Sequence, residues 1–244
     1  MISVTATLER WTAWAPGLET AEQWQNWTGD TNLIGDQGSP SVKFLPAMFR
    51  RRLSQLSKLA LTSAYSCIKD DGPISTVFVS RYGELNTTVK LLEDIASNMP
   101  ISPTGFSTSV HNTASGMYSI ANNDQSPTTA IAAGADSLEA GFIEAACQLS
   151  SLRQNRVMLI LAEEPLHHYY RQYSDMPEKP FAIALLLSRK DSGMKLSLTS
   201  NNLLESPPTK QQHGLSLLQL LSGQETTLEI TGERLKWKWE TSVA

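Results

Sequence analysis

The sequence predicts an α/β layered domain, a mixed and mostly buried sheet with helices on its faces. Three runs carry that expectation: STVFVS at 75–80, RVMLIL at 156–161 and FAIALLLS at 181–188. Each is short and apolar almost throughout, as strands buried on both faces are. Between them lie segments whose apolar residues recur every three or four positions, which is the helical period.

The elements follow in order. Residues 2–14 alternate partly around β-branched Ile2, Val4, Thr5 and Thr7 and read as a first strand. Residues 15–38 are rich in Trp, Gly, Asn and Asp and read as irregular chain with a short helix near 19–27. Trp11, Trp14, Trp24 and Trp27 act there as anchors; a ligand role is disfavoured because no polar cluster accompanies them. Pro46 opens a helix to residue 69 with Leu53, Leu56, Leu59, Ala60 and Ala64 as its stripe. Arg50, Arg51 and Arg52 stand near its start, where the dipole disfavours cations, so they read as a solvated or partner-facing cluster. Asp71-Gly72-Pro73 is a turn. A helix over 87–97 places Val89, Leu92 and Ile95 inward and ends at Pro100 and Pro103. Residues 113–120 form a helix of small residues. Residues 181–188 and 195–199 make a hairpin about Asp191-Ser192-Gly193. Residues 201–213 are a Pro/Gln/Asn-rich linker, followed by a short helix at 215–221 and strands at 226–230 and 235–239. The last strand alternates charge and Trp, which suits a sheet edge. The chain therefore divides into a domain over 1–200 and an extension over 201–244 that packs on the domain or on a partner.

Composition narrows the function. A net charge of −4 disfavours a nucleic-acid or anionic-membrane binder. The two cysteines, Cys67 and Cys147, have no metal-type spacing and read as small buried residues in a reducing compartment. The N-terminus lacks a signal-peptide pattern, and no apolar run approaches ~20 residues, so a cytoplasmic protein without a membrane span is expected. His167 and His168 are adjacent, so they cannot face one metal as an i, i+4 pair does, and a solvated loop suits them. Phosphate-loop, GxSxG, HExxH and GxGxxG patterns are absent.

The stretch that organises the chain is Ser126–Leu152. The run Thr128-Thr129-Ala130-Ile131 passes through Ala132-Ala133-Gly134 into a helix with Leu138, Phe142, Ala145, Leu149 and Leu152 on one face. A strand entering a buried helix through Ala and Gly is where many folds present a nucleophile, because the helix N-terminus favours a thiolate. This stretch resembles the nucleophile elbow of the β-ketoacyl synthases, roughly Thr-Ala-Cys-x-Ser-Gly. Thr129, Ala130 and Gly134 agree, but Ile131 occupies the position of the nucleophilic Cys. An Ile side chain cannot accept an acyl group.

The resemblance spans about residues 2–200 and implies the N-terminal half of the thiolase-like ketosynthase fold. Residues 44–59, 80–84 and 102–112 look like the short ketosynthase-like proteins of bacterial aryl polyene pathways, described as chain length factors. It implies a non-catalytic subunit that pairs with a full-length β-ketoacyl synthase as a heterodimer and shapes the acyl or polyene tunnel. In that family the catalytic histidines and lysine come from the second half of the fold, so His111, which precedes the elbow, matches neither histidine by order. Pairing runs across the strand leading into the elbow, which makes Thr129, Ile131, His111, Asn112, Met117 and Tyr118 tunnel or interface candidates. Arg50, Arg51 and Arg52 are candidates for docking an acyl carrier protein. No cofactor or metal is implied. The alternatives are a divergent acyltransferase, using Cys147 or Ser115 with His111, or an acyl-binding module of thiolase-like fold.

Overall fold

In the computed structural model, which describes residues 1–68, 72–151, 155–174, 178–202 and 209–243, the elements succeed one another as follows. Strand β1 (Ser3–Trp14) leads to the short helices α1 (Ala21–Gln25) and α2 (Ala47–Arg50), then to α3 (Gln55–Cys67) and β2 (Ser75–Val79). Helices α4 (Leu85–Ala96), α5 (Pro103–Ser107) and α6 (Thr113–Asn122) precede β3 (Thr128–Ile131), α7 (Ser137–Ser151) and β4 (Arg156–Glu163). The chain closes with β5 (Phe181–Ser188), β6 (Met194–Asn202), α8 (His213–Leu221), β7 (Thr227–Thr231) and β8 (Leu235–Val243).

The strands form one sheet in the order β3-β2-β4-β5-β1-β6-β8-β7. Strands β3, β2 and β4 run parallel, and every pairing from β4 onward is antiparallel. The apolar runs of the sequence are the central strands, and alternate side chains serve two cores. Val77, Val79, Leu159, Leu161, Ile183 and Leu185 belong to the core under α7 and α8. Phe78, Met158, Ile160, Ala182, Ala184 and Leu186 belong to the core under α3 and α6. With both faces covered, no polar alternation survives. Helix α7 lies close on the sheet because Gly141 gives it room: a Cβ there would meet Val79 Cγ2 at 2.3 Å. The next residue, Phe142, is fully buried and packs T-shaped on Trp239 at 4.8 Å, a ring worth about 2–3 kcal/mol by burial alone.

Several expectations are corrected. The helix begun by Pro46 breaks into α2 and α3, because the Ser54 hydroxyl accepts from Ser57 N–H and caps a new start. Arg50–Arg52 thus lie at the end of α2 and beyond it, not at a helix N-terminus. The 181–188 and 195–199 strands are not a hairpin pair. The long β1 lies between them, pairing with β5 over 7–14 and with β6 over 3–8. On α4, Val89 is buried but Leu92 and Ile95 are 52% and 56% exposed, since α4 packs chiefly on α5 and not on the sheet. Strand β8 is interior, flanked by β6 and β7; its Trp237 and Trp239 are buried while Lys236 and Lys238 pair with Glu229 and Glu240. Cys147 is exposed, and Cys67 is buried. Leu152, Asp71 and residues 203–208 of the linker lie outside the described residues. Among those described, no helix is long and apolar enough to cross a membrane.

Candidate functional site

The carboxyl ends of the parallel strands β3, β2 and β4 meet at the N-terminus of α7, the usual place for a site in an open α/β sheet. The elbow after β3 is tightly built. Gly134 adopts φ +60°, which favours glycine, and a Cβ there would meet the Glu233 carboxyl at 2.4 Å. The Ser137 hydroxyl donates to Gly134 O at 2.7 Å and accepts from Ala133 N–H at 2.9 Å. Glu233, from the β7–β8 turn, accepts from Ala135 N–H at 2.9 Å and stands 4.0 Å from Arg81. The C-terminal hairpin therefore closes over the elbow.

Ser80, just after β2, connects the neighbouring groups. Its N–H donates to Ile131 O at 3.3 Å, and its carbonyl accepts from His111 Nε2 at 2.8 Å. Its hydroxyl accepts from Gly83 N–H at 3.0 Å and donates to Glu163 Oε2 at 3.3 Å. Only glycine fits at position 83, where φ is +55° and a Cβ would lie 2.6 Å from the His111 ring. Three hydroxyls, from Ser54, Ser57 and Thr87, donate to buried Glu84 and tie α3 to α4. Burial pushes Glu163 up to about 8, against the lowering effect of the Arg81 N–H at 2.6 Å and the Ser80 hydroxyl. Burial, with the nearby charge of Glu84, takes Glu164 up to about 7.

A second cluster was not singled out in the sequence. Glu139, in the first turn of α7, is fully buried and pairs with His213 Nδ1 at 3.0 Å. Burial pulls the imidazole down, but the Glu139 carboxylate, with Asp136 behind it, raises it overall. Asp136, Glu139 and His213 lie close enough to share a cation, yet all four carboxylate oxygens already have donors. Trp237 Nε1 and Glu233 N–H donate to Asp136 at 3.1 and 3.2 Å, and Trp239 Nε1 donates to Glu139 at 3.3 Å. The cluster fits a network that pins the β7–β8 hairpin to α7. The one signal in the sequence was a glutamate three residues before Phe142, beside an otherwise apolar helix face.

The structure gathers some of the predicted residues and separates others. Ile131 ends β3 beside Val79, and Thr129 accepts from Gln148 at 3.1 Å. His111 joins Ile131 through Ser80. Asn112 is the N-cap of α6, and its carbonyl accepts from the Ser115 hydroxyl at 2.9 Å. His111 thus precedes the helix and bonds elsewhere, so the i, i+4 pair of His111 with Ser115 is not formed. Met117 and Tyr118 are buried against α3, Tyr118 edge-on to Tyr65 at 6.3 Å. Arg50 is half-buried and Arg51 and Arg52 are exposed, on the α3 side of the sheet. His167 and His168 lie side by side in the loop after β4, their rings 4.2 Å apart and tilted by 43°.

No curated protein matches the chain. Among solved structures, a chain of the ketosynthase ApeO in complex with its chain length factor ApeC, from Xenorhabdus doucetiae, is 30% identical with a TM-score of 0.84. The match covers 97% of this chain and 99% of that one. The ishigamide ketosynthase/chain length factor is 14% identical with a TM-score of 0.65, over 82% of this chain and 67% of that one. A ketosynthase from module 6 of the bacillaene synthase of Bacillus subtilis is 13% identical with a TM-score of 0.57, over 84% of this chain but 42% of that one. At these two identities the likeness is one of fold, and it agrees with the thiolase-like, mixed-sheet architecture the sequence predicts. Residues 24–240 match the family described as Beta-ketoacyl synthase, N-terminal domain, and the chain belongs to that family.

Proposed function

We propose that this chain is a non-catalytic, chain-length-factor-like subunit that pairs with a full-length β-ketoacyl-ACP synthase and shapes its acyl tunnel. The observation that carries this reading is end-to-end agreement, 97% against 99% of length at 30% identity, with a chain of a ketosynthase–chain length factor complex. This protein, in contrast, spans 42% of the bacillaene synthase ketosynthase. Ile131 supports the absence of catalysis, since it offers neither proton nor lone pair where the family places its thiol. A partner surface is supported by β3, which forms one edge of the sheet. Leu92, Ile95, Met99, Phe106, Val110 and Ile120 are all more than half exposed, an unusual density of large apolar side chains on α4, α5 and α6 and the loops joining them.

In this reading the edge at Thr129 and Ile131 faces the partner, with His111 and Asn112 behind it, and limits how far an acyl or polyene chain extends. Met117 and Tyr118 serve as core under that edge. Arg51 and Arg52 offer exposed cations to an acidic acyl carrier protein. The products are polyketide-like, of the aryl polyene type. Co-expression with a full-length ketosynthase from the same gene neighbourhood, followed by sizing and an elongation assay, tests the proposal. A 1:1 complex that elongates only when both chains are present supports it; a monomer that ignores the ketosynthase overturns it.

A further inference from the structure

Gly116 stands in the middle of α6, where glycine is the poorest helix former after proline. Of the 14 glycines it is the only one that neither adopts a positive φ nor has an atom beyond its own stretch of helix within 4 Å of where a Cβ would lie. Neither a turn nor close packing inside this chain accounts for it, and alanine would hold the helix better.

The surroundings of Gly116 point outward. Ala114, Met117 and Tyr118 turn to the core under α3. Asn112, Gly116 and Ile120, spaced by four residues, lie along the opposite face. Asn112 is exposed and Ile120 is 62% exposed, so the glycine forms a notch between two projecting side chains. Helix α6 packs beside β3, whose outer edge no strand covers among the described residues. Between Asp94 and Asp136 the one Asp, Glu, Lys or Arg residue is Asp124, and it is buried. Interface cores are depleted of charge in this way, and a missing Cβ lets another chain come close.

We infer that Gly116 is a contact point for subunit pairing: an uncharged surface of the ketosynthase seats against α6 there, its atoms taking the space a side chain would fill. This rests on the subunit reading and adds to it the place of closest approach. The glycine serves the partner and weakens this chain's own helix.

Gly116→Ala and Gly116→Leu, titrated against the full-length ketosynthase of the same gene neighbourhood in analytical ultracentrifugation, test it. Gly116→Ala should raise the melting temperature of the chain by about 2–4 °C, because alanine is the better helix former and nothing crowds its methyl. The same methyl should weaken pairing about tenfold by overpacking the contact, and Gly116→Leu should weaken it about 100-fold. A wild-type chain that does not pair overturns the subunit reading and this inference with it. If the wild type pairs and a folded Gly116→Leu pairs equally well, only this inference falls. Should Gly116→Leu be unfolded, unchanged pairing by Gly116→Ala has the same meaning. A lowered melting temperature in Gly116→Ala also overturns it, since the glycine would then be needed inside the chain.

Discussion

Glu163 makes the stability of this protein fall as pH rises, and Glu163→Gln isolates the effect. The carboxyl is held at about 8, against an ordinary 4.5, because burial outweighs the Arg81 N–H and Ser80 hydroxyl that favour its charged form. An acid whose value is raised on folding binds its proton more tightly in the folded state. Its contribution is fully present below 4.5 and is lost as pH climbs through 8. Integrating that difference from pH 5.5 to 8.5 gives a loss of about 3 kcal/mol from this one group. Glu164, held at about 7, and His213, raised by Glu139, lose stability in the same direction, so the profile slopes down between pH 5.5 and 8.5. Glutamine keeps an acceptor for Arg81 N–H but does not titrate, and leaves those neighbours in place. Urea unfolding of both proteins at pH 5.5 and 8.5 should show the wild type losing about 3 kcal/mol more than Glu163→Gln. Parallel pH profiles for the two proteins would refute the reasoning.

Four further outcomes are expected. Ile131→Cys should give no condensation by the chain alone, because His111 is bonded to Ser80 O and His213 is paired with Glu139; carbon–carbon bond formation in an acyl-carrier assay contradicts this. Phe142→Ala should cost about 3–5 kcal/mol in denaturant unfolding, since it removes a fully buried ring packed on Trp239. Met117→Ala should cost about 2–4 kcal/mol as a core truncation; undiminished stability with lengthened partner products would place it in the tunnel instead. Leu92→Ser with Ile95→Ser should leave unfolding within about 1 kcal/mol of wild type yet weaken co-purification with the ketosynthase, because both side chains are half exposed.

The central strands were legible in the sequence because burial on both faces leaves an unmistakable apolar run, and residues 75–79, 156–163 and 181–188 fall where the runs stand. The elbow was legible because small residues and a glycine at φ +60° are required by its close contacts. The direction of an amphipathic helix was not: α4 has its stripe, but nothing local says whether the sheet or a partner receives it. The Glu139–His213 pair was equally hidden, since its members lie 74 positions apart.

The sequence by itself determined the alternation of strands and helices, the small-residue elbow and the apolar, non-nucleophilic side chain at Ile131, because these depend on local period, steric fit and side-chain chemistry. Only the tertiary structure decided that β1 separates β5 from β6 and that β8 is interior. It also brought His213 of α8 to Glu139 of α7. Strand order and the meeting of distant residues depend on which surfaces exclude water together, and that is a property of the whole fold.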